Sequence, residues 1–352
     1  MVVRPVKIKF TLILMLVGVL AVACTRIKDI PTEFPTPEPP PAATSLPALE
    51  LKRDAALEAE FAKIAEEAKG KVGVAAVVLE TGEAALLNAD GRYPMQSVYK
   101  LPIAMAVMDQ IRLGKLELDE VVGVTKDDMI RHGMHSPLRD KNPEGGEFTI
   151  RELIRLSLVE SDGVASDVLM RIAGGAGEIQ AFLKQIGIND IKVVNTEKEI
   201  GRDWETQYEN WGTPLASVEL LRFHNFSANV LPEQPVPDSI KDQTVRLTRV
   251  TPEIINAILL RTFMIESIPG ARRLKGLLPK GTIVAHKTGT SGTKDEIASA
   301  TNDIGIITLP DGKHLAIAVF VSDSSADPGT REAVIAKIAK AAWDRWGGTS
   351  QP

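Results

Sequence analysis

Ser97 and Lys100 stand three residues apart at the entrance to an apolar stretch, residues 101–112, whose apolar positions 103, 106, 107 and 111 recur with a helical period. Pro102 fits such a helix only in the first turn, where a missing N–H leaves no bond unmade. The serine then lies at the positive end of a helix dipole, which favours negative charge on a nearby oxygen. A serine hydroxyl becomes a useful nucleophile when a base takes its proton, and a lysine held neutral by burial and other cations can be that base. The same pair also suits a helix cap followed by a solvated charge, so other groups must decide. Ser161, in Ser161-Asp162-Gly163 between two helical patterns, could relay a proton to a leaving nitrogen, although this tripeptide is also an ordinary turn. Lys287 and Thr288 close an apolar strand pattern and could bind a carboxylate, with Gly289 letting backbone approach a ligand. Glu197, in a long aperiodic stretch, could act as a general base on water, or could simply be solvated.

Such groups come together only if strands and helices from distant parts of the chain converge. Residues 50–69 read as an amphipathic helix ended by Gly70, and residues 72–79 and 84–88 as a hairpin turning at Thr81-Gly82-Glu83. A charged loop follows at 124–147. Helices are expected at 149–159, where Thr149 and Glu152 form a capping box, and at 163–173 and 176–186. Residues 195–213 read as a long ordered loop, 214–225 and 252–264 as helices, and 227–248 as a polar insertion. A strand at 281–287, a hairpin at 303–309 and 313–322, and a helix at 330–346 complete the chain. Strands and helices at both ends bracket a helical middle. The expected fold is α/β (α+β): an antiparallel sheet of about five strands flanked by N- and C-terminal helices, with an all-helical domain inserted. The α/β part would cover about 49–92 and 270–348, and the helical part about 93–269.

With 352 residues, the chain can bury a sizeable core, and its net charge of −5 gives no electrostatic footprint for nucleic acid. The basic residues Arg4, Lys7 and Lys9 precede an apolar run at 10–23, the pattern of an export signal. Ala21-Val22-Ala23 suits ordinary signal cleavage, whereas Leu20 to Cys24 resembles a bacterial lipobox. Cys24 is the only cysteine in the chain and falls at the cleavage point, which favours a lipid anchor. The leader would end at residue 23, a Pro-rich tether would span 24–48, and the catalytic domain would span 49–352. The protein is then expected to be exported and periplasmic or at the cell surface. The one cysteine leaves it no internal disulfide, so its stability must come from its core.

In chain order, Ser-x-x-Lys, Ser-Asp-x, a loop Glu and Lys-Thr-Gly together resemble the penicillin-recognising serine enzymes. From Val72 to the C-terminal helix the chain resembles a class A β-lactamase. Ser161 and Glu197 are 36 residues apart, and Glu197 and Pro214 are 17 apart, which agrees with that family's spacing and selects Glu197 over Glu199. The wording at 95–100, 207–211, 285–292 and 300–306 is similar to the PER/VEB branch.

The resemblance implies a β-lactamase/transpeptidase-like fold, a β-lactam substrate, no cofactor and no metal; a monomer is expected. Ser97 would be acylated, with the N–H groups of Ser97 and Thr290 as oxyanion hole. Lys100 and Glu197 would share the activation of Ser97, and Ser161 would pass a proton to the lactam nitrogen. Lys287, Thr288, Thr290 and Arg273 would hold the substrate carboxylate, and Gln96 and Gly289 would border the substrate. Glu197 would then activate the deacylating water. Two positions depart from the family. Gly163 stands where an asparagine usually holds the substrate's acylamide, and Gly201 where asparagine or histidine helps fix the water. His135 would occupy the rim position of an aromatic residue, and the 227–248 insertion has no counterpart. A D-Ala-D-Ala peptidase or penicillin-binding protein would lack the deacylating glutamate, and a non-hydrolytic β-lactam sensor would stay acylated.

Overall fold

The computed structural model describes residues 46–229 and 252–348. The expected leader, almost all of the tether and most of the 227–248 insertion lie outside the described residues.

The main sheet has six strands, in the order Lys52–Arg53, Glu83–Leu87, Lys71–Val78, His314–Ser322, Thr301–Thr308 and Val284–Thr290. All neighbours are antiparallel except the first pair. The expected count was about five, and the extra strand is a two-residue edge. Its origin is the cap at Asp54, whose carboxylate accepts from the N–H groups of Ala56 and Leu57. The first helix therefore begins at Ala55, not at residue 50, leaving Lys52–Arg53 to pair with Glu83 and Ala84. The strand expected at 281–287 instead runs Val284–Thr290. It pairs residue by residue with the next strand, from Val284 opposite Ile307 to Thr290 opposite Thr301. Lys287-Thr288-Gly289-Thr290 is therefore part of the ladder.

Period-two alternation sends alternate residues of the central strands to opposite faces. Val72, Val74, Ala76 and Val78 pack with Leu57 and Phe61 of the first helix and Val334, Ile335 and Ile338 of the last, Pro328–Trp346. Ala75, Val77, Ala318 and Phe320 face the helical part instead. Both faces are covered, so these strands are apolar throughout. Each fully buried aliphatic side chain there contributes about 1.5–3 kcal/mol.

The helix Lys100–Arg112 runs through the helical part, and every residue from Lys100 to Met108 is buried. Around it lie Ile150–Val159, Gly163–Ile172 and Ala176–Gln185, with Thr149 and Glu152 forming the expected capping box. Pro214–Asn229 and Pro252–Ile265 complete this layer. The stretches read as loops hold short elements. Residues 195–213 include a helix at Glu197–Ile200, and Gly146–Thr149 pairs with Val121–Val124.

Candidate active site

The turn that carries Ser97 is a 3-10 helix, Gln96–Tyr99, that leads into Lys100–Arg112, with Pro102 in the first turn of that helix. Gln96 has φ +49°, a left-handed conformation unusual for its type. Its side chain donates to Gln207 Oε1 at 2.7 Å, and Ser299 donates to the same oxygen at 2.5 Å. Ser161 is likewise left-handed, at φ +59°. Such residues cost about 1–3 kcal/mol each and persist where surrounding bonds fix them. At Ser161 those bonds come from two lysines. Lys100 Nζ donates to Ser161 O at 2.7 Å, and Lys287 Nζ donates to Ser161 Oγ at 2.9 Å.

Both lysines are buried. Lys100 also pairs with Glu197 Oε1 at 2.9 Å. Burial, followed by the charge of Lys100, holds the Lys287 amine well below its ordinary pKa, and Asp303 and Glu197 oppose that shift. Because Lys287 donates to Ser161 Oγ, the hydroxyl hydrogen of Ser161 is directed elsewhere. Behind Thr290, Arg273 donates to its Oγ1 at 2.7 Å and to the carbonyls of Gly289 and Asn302. Asp303, fully buried, accepts from His286 Nδ1 at 2.9 Å and from Leu274 N at 3.2 Å.

Glu197 is the first residue of its short helix. Glu199 closes the capping box instead, its carboxylate accepting from Thr196 N at 3.0 Å and from Thr196 Oγ1 at 3.1 Å. The two glutamates are therefore distinguished by what they touch. Asp167 anchors this helix from below, accepting from Glu197 N at 2.7 Å and Lys198 N at 2.9 Å. Burial and then the Glu197 charge push the Asp167 carboxyl up to about 7. Tyr99, fully buried, has a phenol held far above its ordinary pKa by burial and by the Glu197 and Asp167 charges, so it stays neutral.

These groups surround a cavity of about 550 Å³, lined by Gln96, Ser97, Lys100, Ser161, Glu197, Thr288 and Thr290, and also by His135 and Gly201. Lys287 and Arg273 stand behind the wall, touching Ser161 Oγ and Thr290 Oγ1. Gly163 donates its N–H to His135 O at 3.1 Å. At Gly289 an added Cβ would lie 2.3 Å from Met95 O, so the glycine lets the edge strand approach the turn that carries Ser97. Sequence reasoning missed Asp167, Gln207 and Asp303. Asp167 lies four residues after Gly163 in one helix, and that shared face was a usable signal.

The model of the beta-lactamase enzyme family matches residues 56–223 and 261–346. The chain is 36% identical over 274 residues to the β-lactamase VEB-1 of Pseudomonas aeruginosa, covering 78% of this chain and 85% of that one. It is 37% identical over 277 residues to the extended-spectrum β-lactamase PER-1 of Pseudomonas aeruginosa, with 78% and 82% covered. Among solved structures, TLA-1 extended-spectrum β-lactamase is 38% identical with a TM-score of 0.73, covering 83% of this chain and 99% of that one. A β-lactamase from Chitinophaga pinensis is 37% identical with the same TM-score of 0.73, covering 82% and 99%. The chain belongs to the beta-lactamase enzyme family and, within it, to the class A enzymes of the VEB and PER type.

Proposed function

We propose that the protein hydrolyses the amide bond of β-lactams through an acyl-enzyme on Ser97. Ser97 Oγ attacks the lactam carbonyl, and its proton passes to the Lys100–Glu197 pair. The N–H groups of Ser97 and Thr290 stabilise the oxyanion. As the C–N bond breaks, Ser161 gives its hydroxyl proton to the leaving nitrogen and takes in return the proton held by the Lys100–Glu197 pair, which restores the Ser161 hydroxyl and leaves Glu197 free as a base. Thr288 and Thr290, with the charges of Lys287 and Arg273 behind them, receive the substrate carboxylate. Glu197 then deprotonates the water that cleaves the ester and regenerates Ser97. The observation that carries this reading is the 2.9 Å contact of Lys100 with Glu197, beside a Ser161 hydroxyl whose oxygen is already occupied by Lys287.

The test is turnover of a chromogenic cephalosporin followed by intact mass measurement. Ser97→Ala is expected to form no adduct. Glu197→Ala is expected to accumulate an acyl adduct on Ser97, with turnover lower by about 10²–10⁴-fold, as for loss of a general base. Rapid turnover by Glu197→Ala would remove that residue from deacylation.

We also infer export, with Cys24 lipidated, from the basic and apolar leader that ends at the only cysteine. No helix among the described residues is long and apolar enough to cross a membrane. Fatty-acid labelling of the full chain should therefore depend on Cys24; a Cys24→Ser chain that still takes label would overturn the anchor.

A further inference from the structure

At Gly163 and Gly201 this chain lacks two side chains that its resemblance to class A enzymes leads one to expect, and the structure fills both spaces from a single segment. A Cβ at 163 would lie 2.6 Å from Ile130 Cδ1 and 3.2 Å from Glu197 Cγ. A Cβ at 201 would lie 2.5 Å from Met134 Sδ and 3.1 Å from Arg131 Nε. Residues 130–135 therefore close on both glycines. The segment is fastened from behind. Arg139 donates to Arg131 O at 2.8 Å, and Asp162 accepts from Ser136 Oγ at 3.0 Å and Leu138 N at 2.6 Å. Its backbone is held while the Arg131 side chain stays exposed on the cavity wall.

The cavity has two chemically different ends. Thr288 and Thr290, backed by Lys287 and Arg273, form a cationic end suited to the carboxylate carried on the lactam itself. The acyl side chain is left the end beside Gly201, where Arg131 stands. Among the described residues no carboxylate is ion-paired with Arg131. Asp203, on the same wall, accepts from Thr206 N at 2.8 Å and Thr206 Oγ1 at 2.9 Å, and Glu197 is engaged by Lys100. A guanidinium presents a planar fork of donors that matches a carboxylate.

We propose that Arg131 is a specificity-determining residue that recognises a carboxylate on the substrate's acyl side chain, and that segment 130–135 puts Ile130 beside Gly163, and Met134 with Arg131 beside Gly201, in the place of two side chains. The proposal rests on Ser97 being the acylated nucleophile, which the Ser97 adduct tests separately. Two penicillins that differ by one side-chain carboxylate, benzylpenicillin and its α-carboxy analogue, isolate the contribution of Arg131. In Arg131→Gln the ratio of kcat/KM for the dianionic over the monoanionic compound is expected to fall about tenfold, with Arg131→Lys in between. A ratio within about twofold of the wild-type value in both variants would overturn the assignment. The space-filling half has its own readout. Gly163→Asn should lower the melting temperature, and adding Ile130→Ala should restore part of the loss although Ile130→Ala alone is destabilising. Strictly additive effects of the two changes would show that Ile130 does not occupy that space.

Discussion

The two halves of this active site are built differently. Lys287, Thr288 and Thr290 stand on the edge strand of the main sheet, fixed by a seven-pair ladder and by Arg273 and Asp303 behind it. Glu197, Gly201 and Arg131 stand on short turns, held by side-chain caps, by Asp167 and by segment 130–135 closing on two glycines. The strand half presents an extended row of donors whose positions follow from the register. The turn half sets the distance from Lys100 to Glu197 and lines the end proposed above for the acyl side chain. Loops on a rigid scaffold commonly carry such variation.

The sharpest test of this difference removes the buried acid beneath each half. Asp303→Asn takes the charge from a carboxylate bonded to His286 and Leu274, and it is expected to cost about 1.5–3 kcal/mol in denaturant unfolding, the range for hydrogen bonds to charged groups. It also removes a charge that raises the Lys287 pKa, so KM should rise. Asp167→Asn should behave otherwise, because its carboxyl is raised to about 7 in the folded state. An unfolded aspartate titrates near about 4. Between those values the native state keeps a proton that the unfolded chain has released, so stability falls as pH rises, by up to about 1.4 kcal/mol per unit. Asparagine removes that decline. The stability gap between wild type and Asp167→Asn should therefore narrow or invert from pH 5 to pH 8, whereas parallel curves would mean that Asp167 does not titrate in this range.

Much of the strand half could be read from the chain. The apolar run before Lys287, the hairpin at Pro310-Asp311-Gly312 and the alternation of the central strands all point to one sheet. The end of the edge strand could not be placed, because Lys-Thr-Gly-Thr resembles a turn until its pairing with Thr301–Ile307 is known. The turn half was less legible for a different reason. A glycine carries no sign of what will fill the space beside it, so nothing at Gly163 or Gly201 points to Ile130, Met134 and Arg131. Glu197 was separated from Glu199 by its spacing in a resembling family, whereas the physical distinction, a capping carboxylate against one beside a buried lysine, required coordinates.

The smallest effect offers the cleanest comparison, because the same Thr-x-x-Glu capping box starts two of the described helices. Thr149 with Glu152 starts the ten-residue helix Ile150–Val159, and Thr196 with Glu199 starts the four-residue helix that carries Glu197. Replacing either threonine by alanine removes a hydroxyl that accepts a backbone N–H at 3.2 Å, and each change should cost about 1 kcal/mol. The longer helix has Ile150, Leu153 and Ile154 in the core to hold it, so Thr149→Ala should leave kcat within about twofold. The short helix has no buried residue of its own and depends on Asp167 and its cap. Thr196→Ala should therefore free Glu197 to move against Lys100 and slow deacylation, measured as a larger steady-state fraction of acylated Ser97 at equal loss of stability. Equal acyl fractions in the two variants would mean that Asp167 and the Lys100 contact hold Glu197 without the cap.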